Sequence, residues 1–162
     1  MLKRFIKRFL PHKHLIQHHR HLKIFGDRIH HNQYWKLTPE SVSRGLAVGI
    51  FTCWLPMPFQ SILAAALALL IRGNLLFAVG AVFISNPITM APMLYFAYKL
   101  GIIVLKCPDP DFHWPNTING TMIYIKQFAA PIVTGTLICG IVSGILSYFL
   151  VRIIWIFLKN RK

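Results

Sequence analysis

Acidic residues are almost missing from this chain of 162 residues. Four Asp and Glu stand against 18 Lys and Arg, so the formal net charge is +14. The long apolar stretches hold no Asp, Glu or His, which excludes an acid–base catalytic pair inside them. The sequence also lacks a Gly-rich phosphate loop and a nucleophile motif. We therefore predict that the protein is not an enzyme and needs no cofactor.

Cysteine and charge are scarce as well. The three cysteines form no CxxC pair, which excludes a disulfide scaffold. Charged residues make up 14% of the chain and hydrophobic residues 55%, whereas a soluble domain carries about 25% charged residues. This composition indicates a membrane protein.

Three long apolar stretches occupy most of the chain. They cover residues 45–71, 75–105 and 128–158, and a neutral loop at 106–127 separates the last two. A helix needs about 20 apolar residues to cross a bilayer, and each stretch is long enough. Prolines interrupt the first stretch at 55–58 and the second at 85–89. We predict an all-α integral membrane protein with broken or re-entrant helices in an internal repeat and a C-terminal transmembrane helix.

The repeat is seen by sliding the chain along itself by 31 residues. This superposes Ala47-Val48-Gly49 on Ala78-Val79-Gly80 and Pro56 on Pro87. Paired interrupted helices indicate the substrate site in transporters, because their unpaired backbone groups are tolerated only inside protein or beside a cavity. We therefore predict a substrate site formed by residues at and between the interruptions. These residues are Pro56, Pro58, Gln60, Arg72, Asn74, Asn86, Pro87 and Thr89.

A purely structural role is the alternative for part of this set. Asn86 and Thr89 are residue types that cap a helix end, and Arg72 is long enough to extend its charge to the membrane surface. In the third stretch, Gly135, Gly140 and Gly144 predict close helix packing, either on the broken helices or on a second copy.

Residues 1–44 form a basic, histidine-rich arm. It holds ten of the 18 Lys and Arg and seven of the eight His, and its first ten residues predict an amphipathic helix. Since membrane spans follow, we expect this arm to contact anionic lipid headgroups and not nucleic acid. His14, His18 and His21 share a helical face that suits a metal, but no acid or cysteine accompanies them, and we assign no metal site.

The distribution of positive charge predicts the topology. Lys and Arg cluster before residue 45 and again after 151, which places both ends of the chain in the cytoplasm. An even number of crossings is then required. We predict that the first stretch, 45–71, re-enters on the cytoplasmic side and that the other two stretches cross.

Two functions fit this organisation. The first is transport or translocation of a small anionic or lipid-linked solute at the broken helices, by a homo-oligomer because one copy has few helices. The second is a non-transporting adaptor that assembles partners through the basic arm.

Several motifs resemble one family of small bacterial inner-membrane proteins, catalogued as domain of unknown function 2062. The motifs are Trp35-Lys36-Leu37, the run 41–51, the P-x-P-x-Q of 56–60, Arg72-Gly73-Asn74 and the run 86–92. The resemblance covers nearly the whole chain and implies a Gram-negative inner-membrane location without an established activity. One departure lies at 31–35, where the family pattern resembles H-D-P-x-L-W and this chain has no aspartate.

Overall fold

The computed structural model describes residues 32–108 and 118–160, with side chains for 33–108 and 127–159. Within these ranges the chain is all-helical and contains no strand. A short 3-10 helix, Asn32–Trp35, precedes five α-helices: α1 Pro39–Cys53, α2 Gln60–Leu70, α3 Leu75–Val82, α4 Pro87–Leu105 and α5 Ile118–Asn160. The predicted amphipathic helix and the histidine cluster lie outside the described residues.

Local sequence signals set the helix boundaries. Thr38 caps α1 by accepting a hydrogen bond from the backbone N–H of Ser41, and Pro39 occupies the first helical turn. The helix α2 ends in a Schellman motif, in which Gly73 N–H donates to the carbonyl of Ala68. Arg72 takes the left-handed conformation there, with φ of 55°, a position usually held by glycine.

Asparagine side chains cap the next two helices. Asn74 caps α3 after the turn that ends α2, and Asn86 caps α4 within the second interruption. The helix α4 ends at Leu105, where Lys106 is left-handed with φ of 51°. The last helix, α5, begins at Ile118, earlier than the stretch 128–158 predicted from hydropathy, because polar residues also continue the helix.

Close backbone contacts define how the first three helices pack. A Cβ at Gly45 would lie 2.3 Å from the carbonyl oxygen of Asn74, and one at Gly49 would lie 2.4 Å from that of Ala78. Since the contacts advance together along both helices, α1 and α3 run in parallel. The helix α2 connects α1 to α3 and runs in the opposite direction. It packs its buried Ala64, Ala65 and Ala68 against these two helices.

The long helix α5 is antiparallel to both α1 and α4. Its N-terminal part packs on α4, with Gly135 against Ala97, and its C-terminal part packs on α1, with Gly144 against Ala47. The glycines of α5 therefore pack on α1 and α4 of the same chain. This is the first of the two arrangements predicted from the sequence, packing on the broken helices.

In the part of the chain that the structure describes, two helices are long and apolar enough to cross a membrane. They are Pro87–Leu105 and the Gln127–Lys159 part of α5. Only 11% and 22% of their apolar windows are buried inside the protein, unlike a helix in a soluble core. Large apolar side chains cover the outer surface of α5 from Val133 to Leu158. These exposed apolar helices indicate association with a membrane.

Candidate functional site

Gln60 joins the two interruptions. It begins α2 directly after the first interruption, and its side chain is buried. Its Nε2 donates to the carbonyl of Leu55, in the first interruption, and its Oε1 accepts from Ser85 Oγ at 3.1 Å, in the second. The parallel arrangement of α1 and α3 brings both interruptions to the same end of this pair. We call residues 54–60 and 83–89 the paired interruptions.

Asn86 and Thr89 form a capping box at the start of α4. Asn86 Oδ1 accepts from the N–H groups of Ile88 and Thr89, and Thr89 Oγ1 accepts from Asn86 N–H at 2.9 Å. Thr89 Oγ1 also lies 2.6 Å from the carbonyl oxygen of Ile84, to which it donates. Both side chains therefore have the structural role considered above. Asn86 nevertheless stays exposed, so a bound group can reach it.

The prolines lie at the surface of the same region. Pro56, Pro58 and Pro87 are exposed, and large apolar side chains surround them. Four of these side chains are more than half exposed, namely Phe59, Phe83, Ile84 and Ile88. The buried polar contact between Gln60 and Ser85 thus lies beneath an apolar rim.

The helix starts at the paired interruptions differ in their capping. At α4, Asn86 satisfies the first amide groups, and Met90 N–H donates to the carbonyl of Asn86. At α2, by contrast, Phe59 provides no side-chain cap. The Phe59 carbonyl accepts from the N–H groups of Ile62 and Leu63. The start of α2 is therefore the one of these two helix starts without a side-chain cap, and the positive end of its dipole favours a negative charge.

Arg72 and Asn74 lie at the opposite end of α2 from the paired interruptions. The eleven residues of α2 separate the two groups by about 16 Å. Asn74 is fully buried; its Nδ2 donates to the carbonyl of Lys36 at 3.0 Å and its Oδ1 caps α3. Its backbone N–H donates to the carbonyl of Ser41. The structure thus brings six of the eight predicted residues together at the paired interruptions and leaves Arg72 and Asn74 elsewhere.

Contacts along α5 give the depth of the paired interruptions. Arg152 meets Glu40, Gly140 meets Phe51 near the end of α1, and Pro131 meets Gly101. At 1.5 Å per residue, 140–152 spans about 18 Å and 131–152 spans about 32 Å. The paired interruptions therefore lie in the middle part of a layer whose thickness matches the hydrocarbon core of a bilayer, about 30 Å.

Charged residues lie at the two faces of this layer. Among the described residues, no charged residue lies between the two faces. Lys99 and Lys106 belong to one face, and the other face has Lys36, Glu40, Arg44, Arg72, Arg152 and Lys159. Aromatic rings accompany both sets of charges. Lys99 Nζ lies 5.9 Å from the ring centre of Tyr95, and the Arg152 guanidinium lies 5.5 Å from that of Tyr148. Such belts of aromatic and basic residues are typical of the two surfaces of a membrane.

An ion pair links α1 to α5 at the first of these faces. Arg152 Nη1 lies 3.2 Å from Glu40 Oε1, and Arg152 Nη2 donates to Tyr148 Oη at 3.1 Å. The two charged side chains are 39% and 50% exposed, so solvent screens the pair and it adds little to stability. Sequence reasoning missed this pair and the role of Ser85. Glu40 is the one acid in the described part of the chain. A single acid among many basic residues is the sequence feature that could have indicated an ion pair.

A family comparison covers most of the chain. The family described as "Uncharacterized protein conserved in bacteria (DUF2062)" matches residues 22–162. The chain belongs to the DUF2062 family. This confirms the family that the sequence motifs resemble.

No curated protein matches this DUF2062 member, and no solved structure matches it. Its chemistry therefore has to be argued from its own residues. In the part of the chain that the structure describes, no three His, Cys, Asp or Glu side chains come together as a metal site would require.

Proposed function

We propose that this DUF2062 member is a small multi-pass inner-membrane protein that moves a small anionic or lipid-linked solute at the paired interruptions. One observation carries the proposal: Gln60 hydrogen-bonds to both interruptions in the middle of a charge-free layer. Buried polar side chains in such a layer are costly unless they are paired, and they typically mark a pathway.

The proposed topology has one re-entrant hairpin and two crossings. In this arrangement α1 enters from the face that carries Arg152, turns at residues 54–59, and α2 returns to the same face. The helices α3 and α4 together cross the membrane with an interruption at the same depth, and α5 crosses back. The length of α2, eleven residues, supports this because about 20 residues are needed to cross.

The internal repeat is part of the proposal. The parallel helices α1 and α3 both end in proline interruptions, and Gln60 holds these together. The copies diverge after the interruption, because α2 turns back whereas α4 continues for 19 residues. A hairpin beside an interrupted span is an arrangement that leaves helix ends inside a membrane.

A negatively charged group would bind at the start of α2. The first turn of α2 has no side-chain cap, so its N–H groups and the positive end of the helix dipole favour an anion. Asn86 lies exposed on the other side of the paired interruptions and supplies an amide donor. Arg72, exposed at the membrane face, would attract the same negatively charged group before that group enters the site.

A translocation assay in vesicles tests the proposal. Purified protein in phosphatidylcholine vesicles is given two probes, a fluorescent phosphatidylglycerol and radiolabelled inorganic phosphate, which separate a lipid-linked from a free anion. We expect the wild type to move one of the two. Asn86→Ala and Gln60→Leu each remove a polar group from the site, so the rate should fall at least about tenfold.

Two controls complete this test. Ser143→Ala removes a half-buried hydroxyl of α5 that bonds only to backbone carbonyls of its own helix, and it should leave the rate unchanged. Deleting residues 1–30 should have a smaller effect than the substitutions. A wild type that moves neither probe, with partners that are lost when residues 1–30 are deleted, would contradict transport and favour the adaptor.

A further inference from the structure

A second feature of the molecule is an apolar groove between α1 and α5. Ala47, Val48 and Phe51 form one wall, and Ile141, Ile145 and Phe149 form the other. The groove has a volume of about 340 Å³ and its lining is almost entirely apolar. Gly140 and Gly144 form its floor, where a Cβ would approach the carbonyl oxygens of Phe51 and Ala47 to 2.9 and 3.0 Å.

The groove runs along α5 and becomes polar at one end. Its inner end, at Phe51 and Gly140, lies at the depth of the paired interruptions. Its outer end is Tyr148, whose hydroxyl accepts a hydrogen bond from Arg152. Glu40 holds the other side of the guanidinium. The positive charge of Arg152 is thereby fixed at the mouth of the groove, at the face of the charge-free layer.

We propose that this groove binds one phospholipid with an anionic headgroup, its acyl chain between α1 and α5 and its phosphate at Arg152. The apolar length followed by a cation at the membrane surface matches the two parts of such a lipid. Arg44 and Arg72 lie at the same face, so positive charge exceeds the single carboxylate of Glu40 among the described residues. This site requires the protein to lie in a membrane, but it does not depend on transport.

The two parts of the lipid contribute differently. Inside a bilayer the acyl chain leaves one apolar environment for another, so it gains only closer packing. The apolar walls of the groove provide that closer packing, and the glycine floor lets α1 and α5 approach closely enough to form these walls. The phosphate gains an attraction to Arg152, and this attraction distinguishes anionic from zwitterionic lipids.

Native mass spectrometry of the full chain, titrated with phosphatidylglycerol or phosphatidylcholine, tests the site. We expect one bound lipid per chain and a preference for phosphatidylglycerol of about fivefold, the effect of one arginine near the surface. Arg152→Gln should bring the preference close to one. Lys159→Gln, which removes an exposed charge one turn or more beyond the groove, should preserve it.

Substitutions that fill the groove, together with a matched tryptophan control outside it, test the groove itself. Ile145→Trp fills the groove, and Val48→Phe fills it from the opposite wall; both should lower lipid retention at least about tenfold. Leu146→Trp alters the next residue, which is 63% exposed compared with 53% for Ile145 and does not line the groove. It should retain the lipid.

Three results would overturn the proposal. The first is equal retention of the two lipids by the wild type. The second is equal lipid loss in Ile145→Trp and Leu146→Trp. The third is a dimer that Ile145→Trp converts to a monomer with lipid retention unchanged, which would make the groove a contact between copies.

Discussion

A single methyl group at Gly135 is expected to separate α4 from α5. A Cβ there would lie 1.8 Å from the carbonyl oxygen of Ala97, and one at Gly101 would lie 1.9 Å from that of Pro131. Both neighbours are backbone atoms, so the helices must move apart. Such overpacking costs about 1–3 kcal/mol, occasionally more. Gly135→Ala should therefore lower the melting temperature of the purified protein in detergent by about 5–10 °C.

Gly80 provides the matched control. It superposes on Gly49 when the chain is slid along itself by 31 residues. Among the described residues, however, no atom outside its own stretch of helix lies within 4 Å of a Cβ built there. Gly80→Ala should leave the melting temperature unchanged or raise it slightly, since alanine favours a helix by about 0.5–1 kcal/mol over glycine. If Gly135→Ala had the same melting temperature as the wild type and Gly80→Ala, the close contact between α4 and α5 would be wrong.

Loss of the Asn74 side chain should destabilise the protein nearly as much. Asn74→Ala removes the cap from Leu76 and Phe77 N–H and leaves the Lys36 carbonyl without its donor at a fully buried position. We expect a loss of about 2–3 kcal/mol in the free energy of unfolding, measured by denaturant titration in detergent.

Two other asparagine variants separate the causes of this loss. Asn74→Ser keeps a side-chain oxygen that can cap α3 but has no group that reaches the Lys36 carbonyl, so it should fall between the wild type and Asn74→Ala. Asn86→Ala removes an exposed cap and should cost about 1 kcal/mol. Equal stability of Asn74→Ala and wild type would contradict the structural role of Asn74 and return this residue to the predicted substrate site.

The interruptions and their caps are the part of the fold that the sequence predicts best. Asparagine and proline act through local geometry, so Asn86-Pro87 indicates a helix start without knowledge of the fold. The family and the two candidate spans were likewise readable, because they depend on motifs and on apolar length. The predicted repeat pairs residues 49 and 80, but their surroundings differ: a Cβ at Gly49 would meet Ala78, and one at Gly80 would meet nothing within the described part of the chain.

The candidate site was only partly predictable. Residues around an interruption are close in sequence, so the sequence already predicts that Pro56, Pro58 and Gln60 lie near one another. Arg72 and Asn74 were included because they join the two stretches, but the direction of α2 carries them to its other end. The contact between Gln60 and Ser85 depends on the parallel packing of α1 and α3, which rests on Gly45 and Gly49 and has no local signal.

Cysteine accessibility tests the re-entrant hairpin most directly. The three native cysteines are replaced by alanine, and single cysteines are placed at Lys36, Arg72 and Lys106, then treated with a membrane-impermeant maleimide in spheroplasts. The account predicts that Lys106→Cys reacts in intact spheroplasts, whereas Lys36→Cys and Arg72→Cys react only after the membrane is opened. Reaction of Arg72→Cys in intact spheroplasts, with Lys36→Cys still protected, would mean that residues 39–71 cross the membrane and would contradict the hairpin.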